Sequence, residues 1–252
     1  MSDPRPAIVS GSDSRPSDSI EGLSALVVGA SRGIGEATAR LLAAAGARVY
    51  LAARSMERLE KIAGEIGGVP LSLDLEDADA VGASIQGLVS ELGAAPDIVV
   101  NAAGVFSMTP TVDTPVETFG QALAVNLGGP FAVIRALLPA MIARGSGSVV
   151  TVGSVAGRKA YPGNAAYSSA KFGLRGLHEV LREELRGTGV RCSLIEPAAT
   201  DTHLWDALDP DSDPNLPDRS QMLRPEDVAE SILFVCTRPE GVQIPVLAIE
   251  HD

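Results

Sequence analysis

The sequence predicts one open α/β domain: a seven-stranded, doubly wound parallel sheet with helices on both faces. Three observations lead there. Short apolar runs alternate with helix-patterned stretches from Gly22 to the C-terminus, the arrangement that builds right-handed βαβ units. A glycine-rich turn directly follows the first apolar run, where a strand would hand over to a helix. The 252 residues suit a single domain of this class.

Residues 1–20, MSDPRPAIVSGSDSRPSDSI, are rich in Ser, Asp and Pro and cannot bury enough surface to order themselves. They are expected to form a flexible tail ahead of a domain over 21–252. ALVV is the first strand and GEATARLLAAAG the first helix; RVYLAA and SMERLEKIAGEI repeat the pair. VPLSL, a helix over 78–92 and the strand DIVVN at 97–101 follow. The pattern then predicts two helices, near 115–125 and 127–144, and the strand SVVTV. The next helix runs to about Arg186, where Gly187 and Gly189 end it. VRCSLIE, a helix opened at RPEDVAESILFVC and IPVLAI complete the count of seven strands. Between the last two strands, Pro197 to Arg224 is acidic, irregular and interrupted by Pro210, Pro214 and Pro217. It follows a strand's carboxyl end, where open α/β sheets bind ligands, so residues 198–224 are a candidate substrate lid.

Composition narrows the partners. Lys and Arg number 20 against 32 Asp and Glu, a net charge of −12, which opposes binding to nucleic acid or anionic membranes. Aromatic residues at 4% leave no stacking platform for bases. Cys192 and Cys236 sit in apolar contexts and read as buried structural thiols, with no disulfide framework or metal site. The first 20 residues offer only Ala7-Ile8-Val9 as an apolar run, and no uninterrupted run reaches 18 residues. A signal peptide and a membrane span are therefore not expected, and a cytoplasmic location is.

The stretch GSVAGRKAYPGNAAYSSAK, residues 153–171, carries the chemistry. Tyr167 and Lys171 are four apart on a predicted helix, hence on one face. Taken alone, such a pair is usually a surface pair. A phenol has a free pKa of about 10. One positive charge at ~5 Å is worth roughly 3 kcal/mol at an effective dielectric near 20, or about two pKa units, which brings tyrosine toward general acid/base range. Ser154, just after SVVTV, can hydrogen-bond the carbonyl oxygen that Tyr167 protonates.

The glycine-rich turn, VVGASRGIGEA, spaces Gly29, Gly33 and Gly35 as G-x-x-x-G-x-G. Glycine permits the tight turn and close backbone approach, and the following helix aims its amide-rich N-terminus at a diphosphate, as in Rossmann-type folds. An acidic residue at the end of the second strand would accept the ribose hydroxyls of NAD. Ala53 stands there instead, followed by Arg54 and Ser55, with Arg32 in the nearby turn. Two guanidiniums and a hydroxyl suit a 2′-phosphate, which predicts NADP(H) over NAD(H).

These residues together resemble the short-chain dehydrogenase/reductase family, in its compact branch of about 250 residues, from Gly22 to the C-terminus. Within it the chain is most similar to NADP-dependent carbonyl reductases of the 3-oxoacyl-carrier-protein reductase type. GASRGIG, NAAG at 101–104, Asn126 in VNLGG, Ser154 and the Y-x-x-x-K of Tyr167 and Lys171 fall in the family's order. The resemblance implies that Tyr167 is the proton donor in reduction and the base in oxidation. Lys171 would lower its pKa and hold the nicotinamide ribose, Ser154 would orient the carbonyl, and Asn126 would interrupt a helix and anchor a relay water. Gly29, Ser31, Arg32, Gly33, Ile34 and Gly35 would cradle the diphosphate. Asp74 and Leu75 would meet the adenine, and Asn101, Ala102, Ala103 and Gly104 would pass its ribose.

Two departures stand out. Ala102 replaces the family's second Asn, and Pro197-Ala198 replaces Pro-Gly; alanine costs energy there if the backbone needs positive φ. Thr200 takes an aliphatic position, and Thr202 would contact the carboxamide. His203 reads as a solvated loop residue, and Trp205 beside it as an apolar wall for a hydrophobic carbonyl substrate. The helices at 127–144 and 165–186 resemble those through which family members pair, so a homotetramer or homodimer is expected. The substrate is expected to be a small-molecule carbonyl or secondary alcohol. An NAD-dependent alcohol dehydrogenase of the same family is one alternative, and a dinucleotide-binding redox sensor or scaffold without turnover is the alternative from another class.

Overall fold

A computed structural model describes residues 19–252, and its strands are β1 (Ser24–Val28), β2 (Arg48–Ala53), β3 (Val69–Ser72), β4 (Ile98–Asn101), β5 (Gly147–Val152), β6 (Val190–Pro197) and β7 (Val246–Ile249). They form one sheet in the order β3-β2-β1-β4-β5-β6-β7, every neighbouring pair parallel. The inner strands read as near-continuous apolar runs because both faces are covered.

The helices are α1 (Gly33–Ala44), α2 (Met56–Ile66), α3 (Ala78–Leu92), α4 (Val116–Leu123), α5 (Gly129–Arg144), α6 (Ala165–Glu184) and α7 (Pro225–Cys236). Leu42, Leu59 and Ile232 seat α1, α2 and α7 on one face of the sheet. Ile85, Leu137 and Leu181 seat α3, α5 and α6 on the other. Cys192 and Cys236 are buried free thiols, as their apolar contexts predict.

Four expectations need correction or limits. The tail predicted at 1–20 lies outside the described residues up to 18, whereas Ile20 is 2% exposed and packs in the core, because its side chain reaches the layer beneath α1 and α7. The two helices predicted across 115–144 are one continuous run, joined by a π turn over Ala124–Gly128. Asn126 holds that turn: its Oδ1 accepts from the Val105 N–H at 3.1 Å and its Nδ2 donates to the Val105 carbonyl at 3.0 Å. The combined helix, Val116–Arg144, has 29 residues and contains an 18-residue window of mean hydropathy 1.5, long and apolar enough to cross a membrane although its scattered charges break every apolar run. Here it packs against α3 and α6, with half of its apolar window buried.

The segment after β6 has more structure than its prolines suggest. Three 3-10 turns, His203–Trp205, Pro210–Ser212 and Arg219–Gln221, divide it, and Thr200 pairs with Leu223 as an isolated bridge. Arg219 gathers it: its guanidinium reaches Asp201 and lies 2.9 Å from Asp206 and 4.0 Å from Asp211.

Candidate active site

Two connected hollows open at the carboxyl ends of the strands. The first, about 370 Å³, lies between the turn after β1 and the ends of β2 and β4. Its floor requires glycine. Gly29 has φ +88°, and a Cβ there would meet the Ala103 nitrogen at 2.5 Å; a Cβ on Gly35 would lie 2.2 Å from the Gly29 carbonyl oxygen. The turn therefore closes tightly against β4, and the unpaired N–H groups of α1 face the hollow.

Gly29, Ser31, Arg32, Gly33, Ile34, Arg54, Ser55, Asp74, Leu75, Ala102, Ala103, Gly104 and Thr202 all line this hollow. Gly35 lies behind it as a packing contact. Asn101 is 2% exposed at the end of β4 with neither side-chain polar atom paired, and does not line it. Pro197 and Thr200 line the second hollow instead. The Thr200 hydroxyl donates to the Ala198 carbonyl at 3.0 Å. Ala198 is unstrained: among the described non-glycine residues only Asp209 has positive φ.

Positive charge collects beyond the turn. Arg32 and Arg54 are joined by Arg58 from the first turn of α2. Burial, and next the Arg58 guanidinium, hold Arg32 below the ordinary arginine range. Arg54 is paired with Glu76 at 3.1 Å. Sequence reasoning missed Arg58; its signal was its place four residues after Arg54, in the helix that starts at Met56. His203 is half-buried at the lip of the hollow rather than solvated. Burial first, then Arg32, push it down to about 4, so it is neutral near pH 7. The donor set, a helix N-terminus plus three guanidiniums with no acid at Ala53, fits an anionic dinucleotide.

The second hollow, about 730 Å³, shares the wall formed by Ile34, Ala102–Gly104, Thr202 and Leu204. Ser154, Tyr167 and Lys171 meet in it. Ser154 lies two residues after β5 and opens a 3-10 turn, its Oγ accepting from the Ala156 N–H at 3.1 Å. Lys171 is 4% exposed, and its Nζ donates to the Val152 carbonyl at 2.9 Å. Phe106 stands edge-on to Tyr167 at 4.9 Å and tilted against Trp205 at 5.1 Å. Trp205 is thus an apolar wall, as expected. Asn126 lies outside both hollows.

The electrostatics differ from the simple expectation. Burial pushes the Tyr167 phenol up to about 12, against the lowering effect of its hydrogen bond with Ser154. Burial likewise pushes Lys171 down to about 8. The ammonium lies 5.5 Å from the centroid of the Tyr167 ring and is tied to a carbonyl, so desolvation outweighs its attraction for a phenolate. At neutral pH the tyrosine is a protonated acid.

A buried carboxylate behind this site also escaped sequence reasoning. Glu196, on β6 and 2% exposed, is paired with Arg175, one helical turn beyond Lys171, and lies 3.5 Å from Arg158, four residues after Ser154. It ties α6 and the serine turn to the sheet. An acidic residue directly after the apolar pair Leu194-Ile195, near the end of the strand, was the available signal.

Residues 24–213 match the sequence model of the short chain dehydrogenase family. The glycine betaine reductase ATRR of Emericella nidulans is 35% identical over 244 residues, 93% of this chain but 19% of its own length. An NADP-dependent 3-hydroxy acid dehydrogenase of Schizosaccharomyces pombe is 34% identical over 236 residues, covering 89% of this chain and 91% of that protein. Among solved structures, a metagenomic short-chain oxidoreductase in complex with NADP superposes with a TM-score of 0.78 at 34% identity, covering 94% of this chain and 100% of the other.

Proposed function

The chain belongs to the short-chain dehydrogenase family and is an oxidoreductase of the NAD(P)-dependent kind; from that premise we propose that it reduces a carbonyl to a secondary alcohol with NADPH, Tyr167 giving the proton. The observation that carries this is the meeting of Ser154, Tyr167 and Lys171 in one apolar hollow, which shares a wall with the dinucleotide crevice.

Gly29 to Ile34 and the α1 N-terminus would hold the diphosphate, and Thr202 the carboxamide. Bound there, the nicotinamide supplies hydride to the carbonyl carbon. Ser154 then orients the carbonyl oxygen, and Tyr167 passes its phenolic proton to that oxygen as negative charge develops. Lys171, positive below about pH 8, stabilises the phenolate left behind. The shared apolar wall and Phe106 exclude water from this exchange. NADPH oxidation assayed with a panel of ketones, quinones and 3-oxoacyl thioesters tests the assignment; no turnover with any carbonyl would refute it.

Two expected results follow from the same geometry. Arg32, Arg54 and Arg58 would receive a 2′-phosphate, so replacing all three with neutral residues should raise the NADPH dissociation constant ~100-fold and move NADH little, since charge-assisted bonds contribute roughly 1.5–3 kcal/mol each and overlap here. Fluorescence titration with both cofactors checks this; an unchanged ratio would show that these arginines do not read the phosphate.

The second concerns pH. Tyr167, pushed up to about 12, stays protonated throughout the working range. Lys171 loses its charge as pH rises through about 8, so reductive kcat/KM should be flat from about pH 6 and decline above about 8. Oxidation needs the tyrosine deprotonated and should rise with pH. Rate profiles in both directions test the signs.

Phe131 on α5 and Phe172 and Val180 on α6 are exposed. Pairing of copies through these helices is part of the proposal, and light scattering measures it.

A further inference from the structure

We propose that the catalytic hollow recognises a carbonyl substrate carrying a positive charge, an alkylated ammonium seated between the Phe106 and Trp205 rings and the Asp213 carboxylate. This deepens the oxidoreductase reading above and rests on it.

Charge gives the first indication. Lys171 and Asp213 are the charged residues in the lining. The Lys171 ammonium is held by the Val152 carbonyl. Asp213 belongs to the segment after β6, where Asp201, Asp206 and Asp211 gather on Arg219. Asp213 stands apart from them: among the described residues no cation pairs with it. Its Oδ1 accepts from the Asn215 N–H and from the Asn215 side-chain amide, both at 2.9 Å, which holds the carboxyl below its usual range and therefore anionic. An entering molecule meets a carboxylate and no free cation.

The rings give the second. Four of the nine Phe, Tyr and Trp residues line this one hollow, in a chain with 4% aromatics. The two tyrosines each already have an ammonium nearby: Lys159 lies 5.2 Å from the Tyr161 centroid, and Lys171 lies 5.5 Å from that of Tyr167. Phe106 and Trp205, tilted at 60° with centroids 5.1 Å apart, have none among the described residues. Ring faces attract cations through their quadrupole, tryptophan most strongly. Met108, Leu204 and Leu216 add apolar wall. A primary ammonium brings three N–H donors that need partners, whereas a trialkylammonium brings none and presents methyl groups to these walls.

Trp205 is the single tryptophan, so its emission reports occupancy without turnover. The full chain with saturating NADP+ is titrated with acetonyltrimethylammonium, its uncharged isostere 4,4-dimethylpentan-2-one, and acetoacetate. The cation is expected to bind ~10-fold more tightly than the isostere, and acetoacetate more weakly than both. The net charge of −12 attracts any cation, so the source of the preference is traced by substitution. Asp213→Asn keeps an Oδ1 acceptor for Asn215 and removes the charge; it should bring cation and isostere within about threefold of each other, and Asp213→Ser serves if that variant does not fold. Asp218→Asn removes the same charge from the same segment, at a side chain that caps no turn and does not line the hollow, and should keep the preference. Failure of the cation to bind, equal affinity for cation and isostere, tighter binding of acetoacetate, a preference retained without the Asp213 charge, or one lost equally in Asp218→Asn overturns the proposal. NADPH oxidation separates the two readings. Cation preference without turnover sinks the oxidoreductase mechanism and keeps the ammonium site, and turnover of the isostere without preference does the reverse.

Discussion

Tyr167→Phe should lower kcat for carbonyl reduction by about 10³-fold or more while the NADPH dissociation constant stays within about twofold. General acid catalysis is worth ~10²–10⁴-fold, and the two groups that meet Tyr167 in the hollow cannot replace it: Ser154 is a far weaker acid, and Lys171 is turned to the Val152 carbonyl. The phenyl ring keeps its edge contact with Phe106, so the fold and the crevice are preserved. Single-turnover reduction and fluorescence titration measure the two quantities. A variant with near-normal turnover would remove Tyr167 from the mechanism, and one that failed to bind NADPH would recast it as a structural residue.

Gly35→Ala should do the most damage to the fold. The added methyl would lie 2.2 Å from the Gly29 carbonyl oxygen. Backbone meets backbone there, so no rotamer can relieve the overlap, and α1 must move off the turn. Overpacking of this kind costs about 1–3 kcal/mol and more when the backbone shifts, which for a domain this size lowers the unfolding midpoint by about 2–12 °C. Dinucleotide affinity should fall at least ~10-fold as the α1 N-terminus is displaced. Gly64→Ala is the control: nothing lies within 4 Å of a Cβ there, and alanine favours the helix. Calorimetry of both variants decides the matter, and a Gly35→Ala protein as stable as the Gly64 control would refute the packing argument.

Much of this was readable in the sequence. Seven apolar runs separated by helical patterns specify a parallel sheet because burial on both faces demands continuous apolar strands, and β1 to β7 appear where those runs predict. The glycines, Ser154, Tyr167 and Lys171 were legible because their spacing is mechanical. What escaped depends on the third dimension. Arg58 matters because α2 returns toward the β1 turn, and Glu196 because two arginines from separate segments converge on it. The sign of the Tyr167 shift depends on how much water its walls exclude, which no local pattern encodes. Ile20 was assigned to the tail because the polar residues before it dominate any compositional window.

The π turn over Ala124–Gly128 inserts an extra residue without interrupting the helix, which rotates everything downstream by about 100°. The same rod thereby presents α4 to α6 and α5 to α3. Its angular phase is thus set by residue count as much as by residue type. Deleting one amino acid there would straighten the rod, swing Leu137 and Met141 out of register with the sheet and pull Asn126 from Val105. Length is the quantity this segment must keep, and substitutions that preserve it should be far better tolerated than any indel.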